Sequence, residues 1–157
     1  EDGLLDVAEL VYLEARHAAG LAGRYSVRSG DLITAAQATI GRTAVVTSDV
    51  DGALISQHLI RIRPASDICL SGWLHACFNS PFVLRQIRAA TQGGTRAGLN
   101  TDDVASLLVP LPPMGRQWEF VKQLDGLSRL GDATLQRCEE LRRVRSAIAT
   151  RLDDTRV

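Results

Sequence analysis

Side chains that can bind phosphates and base edges are concentrated between residues 21 and 100 of this 157-residue chain. Every basic residue in that segment is an arginine, and its eight arginines outnumber its four aspartates. A guanidinium group can donate two hydrogen bonds at once to a phosphate or to a guanine edge. Because the whole chain is neutral, with 18 basic and 18 acidic residues, this excess is local. On charge alone, an ordinary solvated surface is still the favoured interpretation.

Three short stretches of the segment have the composition expected of nucleic-acid contacts. Small residues surround Gln37, Thr39 and Arg42, so a loop there could approach a phosphate backbone closely. Gln57 and His58 are predicted to lie on a strand, where a glutamine could bind adenine, although an ordinary strand surface or a hydrogen-bonded core histidine fits equally well. The third stretch, TQGGTRAG at residues 91–98, offers glycine N–H groups to phosphate oxygens, or simply joins two elements.

None of the common catalytic motifs occurs in the sequence, including G-x-S-x-G, H-E-x-x-H and the phosphate loop G-x-x-x-x-G-K. Cys69, His75 and Cys77, with His58 upstream, could each bind zinc. Their spacing matches no common zinc pattern, and on a helix they do not share one face. We therefore expect no enzymatic activity, no metal and no cofactor.

The cysteines and the hydropathy pattern bear on where the protein works. The chain has three cysteines, an odd number without a recognisable pattern, which fits a reducing cytoplasm. It has no apolar run long enough to span a membrane. The aromatic content of 4% argues against a surface built on base stacking. We expect a cytoplasmic protein without membrane contact.

Helical and strand periodicity predicts the elements that position these residues. We expect a helix over residues 4–19, which the glycines that follow can end. Residues 25–64 have the pattern of short strands and turns, with one long strand over 53–63. Two helices should follow, one over 68–79 capped by Asp67 and another that begins at a Ser-Pro pair.

A proline-rich segment divides the chain in two. Asn100 or Thr101 can cap a short helix before it. The three prolines of residues 110–113 exclude both helix and central strand, because they lack an N–H group and fix φ. Beyond them the pattern is helical, which predicts a globular domain over residues 1–113 and a long helix over 114–157. The apolar face of that helix needs a partner and comprises Val121, Leu124, Leu127, Leu135, Leu141, Val144, Ile148 and Leu152.

Several short motifs occur along the chain in a recognisable order. SGDLI (29–33) and TIGR (39–42) come first, followed by IRIRP (60–64). GGTR (93–96), LN (99–100), VPLPP (109–113) and Gln117 then precede the long helix. In this order the motifs resemble those of the specificity (S) subunit of type I restriction-modification systems. No single motif is specific, but their order over residues 28–152 is.

The resemblance implies an α+β fold, with a mixed target recognition domain that has a twisted β-sheet and flanking helices, followed by a long C-terminal coiled-coil-type helix. It implies a non-catalytic protein that binds double-stranded DNA and directs a partner adenine methyltransferase (modification) subunit and a restriction subunit. The helix would form a homodimer, although a helix that folds back on its own domain is also open, and methyl donor and ATP would belong to the partners. The residues expected to contact DNA are Gln37, Thr39, Arg42, Gln57, His58, Arg61, Arg63, Gln92, Gly93, Gly94, Thr95 and Arg96.

Two alternatives remain open from the sequence. The chain could be the C-terminal recognition portion of a larger DNA methyltransferase or restriction enzyme, which a first residue other than methionine slightly favours. It could also be a helical protein–protein adaptor without DNA affinity, which zero net charge and few aromatic residues would fit. The adaptor would bind its partner without the salt dependence that phosphate contacts produce.

Overall fold

The computed structural model describes residues 13–92 and 98–154, with side chains of the last helix described through residue 143 and at residue 145. These residues form a small sheet with flanking helices and a long C-terminal helix, which confirms the predicted α+β class. In chain order the elements are α1 (Ala15–Tyr25), β1 (Leu32–Ala35), β2 (Thr43–Val45), a 3-10 turn (Ser48–Val50), β3 (Leu59–Ile62), α2 (Ser71–Phe78), α3 (Pro81–Gln92), α4 (Thr101–Ala105) and α5 (Met114–Asp154). Within the described residues, no helix is long and apolar enough to cross a membrane.

The first helix ends later than predicted. The helix expected over residues 4–19 falls partly outside the described residues, and α1 continues through Gly20 and Gly23 to Tyr25. An interior glycine costs a helix only about 1 kcal/mol relative to alanine, so the two glycines alone do not end it. The chain becomes extended at Ser26, where it begins to pair with the residues that follow the 3-10 turn.

The long strand predicted over residues 53–63 is wrong, because only Leu59–Ile62 belongs to the sheet. Residues 53–55 pair instead with the segment after α1, through hydrogen bonds from Val27 N–H to the Ala53 carbonyl and from Ile55 N–H to the Tyr25 carbonyl. The chain then turns at residues 57 and 58 before β3 begins. The helix predicted over 68–79 is likewise shorter, since α2 begins at Ser71.

The central strand of the sheet is β1, and it pairs antiparallel with β2 on one side and β3 on the other. Both of its faces are covered. Leu32 packs with residues of α2 and α3 such as Phe78 and Val83, whereas Ile33 packs on the other face with Val27 and its neighbours. This arrangement explains why β1 is nearly continuous in hydrophobic character and why polar groups near it need internal partners.

Antiparallel pairing brings distant segments to the same end of the sheet. Ala35, the last residue of β1, lies opposite Leu59, the first residue of β3. Residues 36–42, 56–58 and 98–100 therefore meet there, and we call this the loop end. At the opposite end Leu32 lies beside Ile62, so the residues just before β1 meet those just after β3.

Three side chains hold residues 108–112, at the start of the proline-rich segment, through main-chain carbonyl groups. Gln86 donates to the Leu108 carbonyl, and the Trp73 ring nitrogen donates to that of Pro110 at 2.9 Å. Gln117 donates to the Pro112 carbonyl at 2.8 Å. Because prolines cannot donate main-chain hydrogen bonds, side-chain donors take the place of a neighbouring strand.

Gln117 is the most completely buried of these three side chains, with 0% of its surface exposed. Its amide group also donates to the Ile68 carbonyl and accepts from Leu70 N–H, both at 2.9 Å. The chain divides into compact units of residues 1–118 and 119–157, so Gln117 holds the first turn of α5 within the first unit.

The short helix predicted before the prolines is confirmed as α4. Asn100 caps it in a reciprocal capping box with Asp103.

We expect Gln117→Leu to lower the free energy of unfolding by roughly 2–4 kcal/mol, because it leaves a partly buried N–H and two partly buried carbonyls without partners. Gln86→Leu is the matched control. Gln86 also makes three hydrogen bonds, but they are open to solvent, so water can replace it and the loss should stay below about 1 kcal/mol. Urea denaturation followed by circular dichroism measures both, and equal losses would contradict the importance of burial.

Candidate nucleic-acid interface

The loop between β1 and β2 presents three of the predicted DNA contacts to solvent. Gln37, Thr39 and Arg42 are all exposed. Between the first two lies Ala38, whose φ of 57° falls in the left-handed region that costs a residue with a side chain about 1–2 kcal/mol. Such strain persists only where the surrounding structure enforces it, and it is common at binding sites.

Gly41 allows this loop to lie against α3. Its φ is 82°, and a Cβ atom there would be 3.4 Å from the side chain of Ile87. The loop is therefore held at its base while its polar residues point away from the core. Gln92, another predicted contact, is the last residue of the same helix and is exposed.

Gln57 and His58 adjoin the same loop, although they lie in a turn and not on the predicted strand. The His58 carbonyl accepts a hydrogen bond from Ala36 N–H at 2.9 Å, while both side chains remain exposed. The turn thus brings two polar residues from one part of the chain next to three from another. Because these two groups of residues are far apart in the sequence, no local pattern predicted that they would lie close together.

The segment that follows the glycine-rich stretch also joins the loop end. Leu99 N–H donates to the Ala36 carbonyl at 2.8 Å. Gly98 approaches so closely that a Cβ atom would be 2.8 Å from the same oxygen, and its φ is 131°, so only glycine fits. The predicted contacts Gly93, Gly94, Thr95 and Arg96 lie outside the described residues.

Arg61 and Arg63 have partners within the protein. Arg61 is half-buried on β3 and donates from Nη1 to the Ser26 carbonyl. Arg63 lies at the opposite end of the sheet from the loops, where Nε and Nη2 donate to the two carboxylate oxygens of Asp31 at 2.7 and 2.6 Å. Such a two-bond pair occupies the fork that a phosphate would otherwise bind.

Asp31 is the buried half of this pair, with 2% of its surface exposed. It also accepts from Arg28 N–H at 2.8 Å. Burial raises its pKa, but the hydrogen bonds from Arg63 and Arg28 and the charges of Arg63 and Arg61 outweigh burial, so the net pKa is lowered. The sequence indicated a turn at Asp31 but not this role, since the two partners are 32 residues apart and no local pattern links them.

The residues considered as zinc ligands do not form a metal site. Within the described part of the chain, no group of three or more histidine, cysteine or acidic side chains is placed to hold a metal ion. Burial raises the pKa of Cys69, and burial together with Cys69 raises the pKa of Cys77 to about 11. Both therefore remain protonated thiols at neutral pH and serve as small apolar residues of the core.

Comparison with known proteins identifies the class to which this fold and surface belong. Residues 13–143 match the model of the type I restriction modification DNA specificity domain, and the chain belongs to this family. Its relatives include the specificity subunit of the type I restriction enzyme EcoBI from Escherichia coli, to which it is 28% identical over 110 residues. That match covers 70% of this chain and 23% of the relative.

Two solved structures are similar in fold. The HsdS subunit from Thermoanaerobacter tengcongensis matches with a TM-score of 0.61 and 29% identity, over 73% of this chain and 30% of that one. A chain from a structure of complex assembly and conformational transition of the type I R-M system matches with a TM-score of 0.58 and 28% identity, over 77% and 30%. This chain thus spans less than a third of the length of each of these relatives.

The pair of Asp31 and Arg63 should make stability depend on pH. A carboxyl group whose pKa is lowered by folding stabilises the protein fully above its unfolded pKa, and this contribution is lost as the pH falls through the folded value. We expect the difference in unfolding free energy between wild type and Asp31→Asn to be constant above about pH 5 and to shrink below about pH 4. Denaturant titrations over this range measure it. A difference that does not change with pH would contradict the lowered pKa.

Proposed function

We propose that this chain recognises a specific DNA sequence as the specificity component of a type I restriction-modification system. Membership of the DNA specificity domain family supports the proposal. The observation that carries it is the meeting, at one end of the sheet, of exposed polar residues from two separate parts of the chain. Loops held on a rigid body are the usual location of recognition residues.

The exposed loop-end residues would divide between reading bases and holding the backbone. Gln37, Thr39, Gln57 and His58 carry side chains that can pair with base edges in the major groove. Arg42 would bind phosphate, which fixes the register of the protein on the duplex. From their place in the family motif, Gly93, Gly94, Thr95 and Arg96 would add phosphate contacts and Gln92 a base contact. Arg63 is better assigned to the stability of the domain, because its guanidinium is bound to Asp31.

Catalysis in this proposal belongs to other subunits. The chain would direct an adenine methyltransferase subunit and a restriction subunit to the bound sequence, and these would supply the methyl donor and ATP sites. One of the two similar structures concerns the complex assembly of a type I R-M system, which supports an assembly of this kind. The role of this chain would be to bind DNA and its partners, without a reaction of its own.

The second unit offers an apolar face for a partner helix. Leu124, Leu127, Leu135 and Leu141 are exposed on α5, with 66% of Leu127 and 65% of Leu135 open to solvent, whereas Val121 is half-buried. The side chains of Val144, Ile148 and Leu152 lie outside the described residues. We propose that a second copy of the chain covers this face, which would place two recognition domains on the two halves of a split site.

Sequence recognition can be tested by selecting duplexes from a random pool with the purified chain and with Gln57→Ala. We expect wild type to enrich one motif, and Gln57→Ala to lose discrimination at one base pair, by about 1–3 kcal/mol, while it keeps the rest. Gln136→Ala, on α5, is the control and should select the wild-type motif. A wild-type chain that enriches no motif, or binds without dependence on salt, would contradict the proposed function and favour an adaptor.

Dimerisation can be tested by light scattering on Leu127→Glu. A carboxylate placed in an apolar contact should weaken the dimer by roughly 2 kcal/mol or more, which is more than ten-fold in dissociation constant. Gln136→Glu introduces the same charge on the opposite side of the helix, at about 3.6 residues per turn, and should leave the dimer intact. Equal masses for wild type and Leu127→Glu would contradict the assignment of this face.

A further inference from the structure

A groove of about 490 Å³ lies between the loop end and the last turn of α1. One wall is the last turn of α1, with Arg24 and Tyr25, and the other walls include Gln57, Arg61 and Asn100. The groove therefore adjoins the proposed recognition loops through Gln57. Leu99, which follows the glycine-rich stretch in the sequence, also lines it.

The end of α1 is held firmly against this groove. The Tyr25 carbonyl accepts from Ile55 N–H at 3.0 Å, and Ser26 forms an isolated β-bridge with Leu54. Arg61 donates to the Ser26 carbonyl. Main-chain and side-chain bonds thus fix the position of Tyr25 and, through it, that of the neighbouring Arg24.

Arg24 is placed as a cation without an acidic partner. Its guanidinium carbon lies 5.6 Å from the centre of the Tyr25 ring, within the range of a cation–π contact. Among the described residues no carboxylate forms an ion pair with it, whereas Arg16 on the same helix is paired with Glu14 at 2.7 Å. A guanidinium group that stacks on an aromatic ring can still donate hydrogen bonds from its N–H groups, which lie in the plane of the guanidinium.

The groove itself is basic. Among the residues that the structure describes, Arg24 and Arg61 line it and no acidic residue does. Asp102 and Asp103 directly follow the lining residue Thr101 in the sequence, but neither lines the groove. Asp103 instead accepts a hydrogen bond from Asn100 N–H. The two cations and the two amide side chains of the described lining match the chemistry of a phosphodiester backbone.

We propose that this groove binds the sugar-phosphate backbone of DNA, with Arg24 holding a phosphate and Tyr25 orienting Arg24. The inference rests on the proposed DNA-binding function and extends the interface from the loops to α1. Arg61 has a positioning role, because its bond to Ser26 helps to fix the end of the helix. The duplex would then contact α1 in addition to the loop end.

The test is a salt titration of the full chain on a labelled duplex of mixed sequence. Arg24→Gln keeps most of the side-chain length but removes the charge. We expect it to weaken binding roughly ten-fold at low salt and to reduce the slope of log K against log salt by about one. Arg24→Lys, which restores the charge, should recover the slope. Arg16→Gln, on the same helix, is the matched control and should leave both affinity and slope at wild-type values.

The outcomes separate this inference from the function on which it rests. A wild-type chain without salt-dependent binding would overturn the DNA-binding function itself. Wild-type binding with an unchanged slope in Arg24→Gln would overturn only the role of the groove, as would an equal loss in Arg16→Gln. Thermal unfolding of each variant shows whether a loss reflects α1 stability, since Arg24 lies in the last turn, where a cation favours a helix.

Discussion

The three partly buried hydrogen bonds of Gln117 are the interaction that holds the proline-rich segment and the first turn of α5 within the first unit. A segment with three prolines cannot pair as a strand, so its carbonyl groups need donors from side chains. Gln117 supplies one of these and at the same time satisfies Ile68 and Leu70 ahead of α2. An apolar residue of similar size could fill the space but would leave all three main-chain groups without partners. The first turn of α5 is therefore part of the recognition domain, while the remainder of the helix forms a separate unit.

A second buried polar group serves the sheet in the same way. Asp31 bonds to Arg63 and to the Arg28 main chain, so the residues before β1 are tied to those after β3. A one-residue shift between these strands would move the side chains of one of them to the wrong face, and the bidentate pair opposes that shift. This end of the sheet is held by charge and hydrogen bonds, whereas the opposite end carries the exposed loops.

The two ends of the sheet therefore differ in what they contribute to the protein. At the loop end, Ala38 is held in a left-handed conformation and Gly41 packs against Ile87 of α3. Gly98 packs closely against the Ala36 carbonyl. These contacts fix the loop bases and leave Gln37, Thr39 and Gln57 free to meet a ligand. In the proposed function, exchange of these exposed residues would alter the sequence that is bound, while the buried pair and Gln117 would preserve the fold. Stability and specificity would then be separable properties of the same small domain.

Local features of the sequence determined much of this protein. Proline chemistry predicted the segment before α5, the residue types at 100 and 101 predicted a capped helix there, and apolar periodicity predicted the long helix, because each depends on residues within a few positions of one another. The order of short motifs predicted the family. Only the tertiary structure decided that Gln57 and His58 lie in a turn, that Arg63 is bound to Asp31, and that Gln117 is buried. Those outcomes depend on partners 32 to 49 residues away in the chain or on competing main-chain pairing. No local pattern records such contacts, since folding alone brings the partners together.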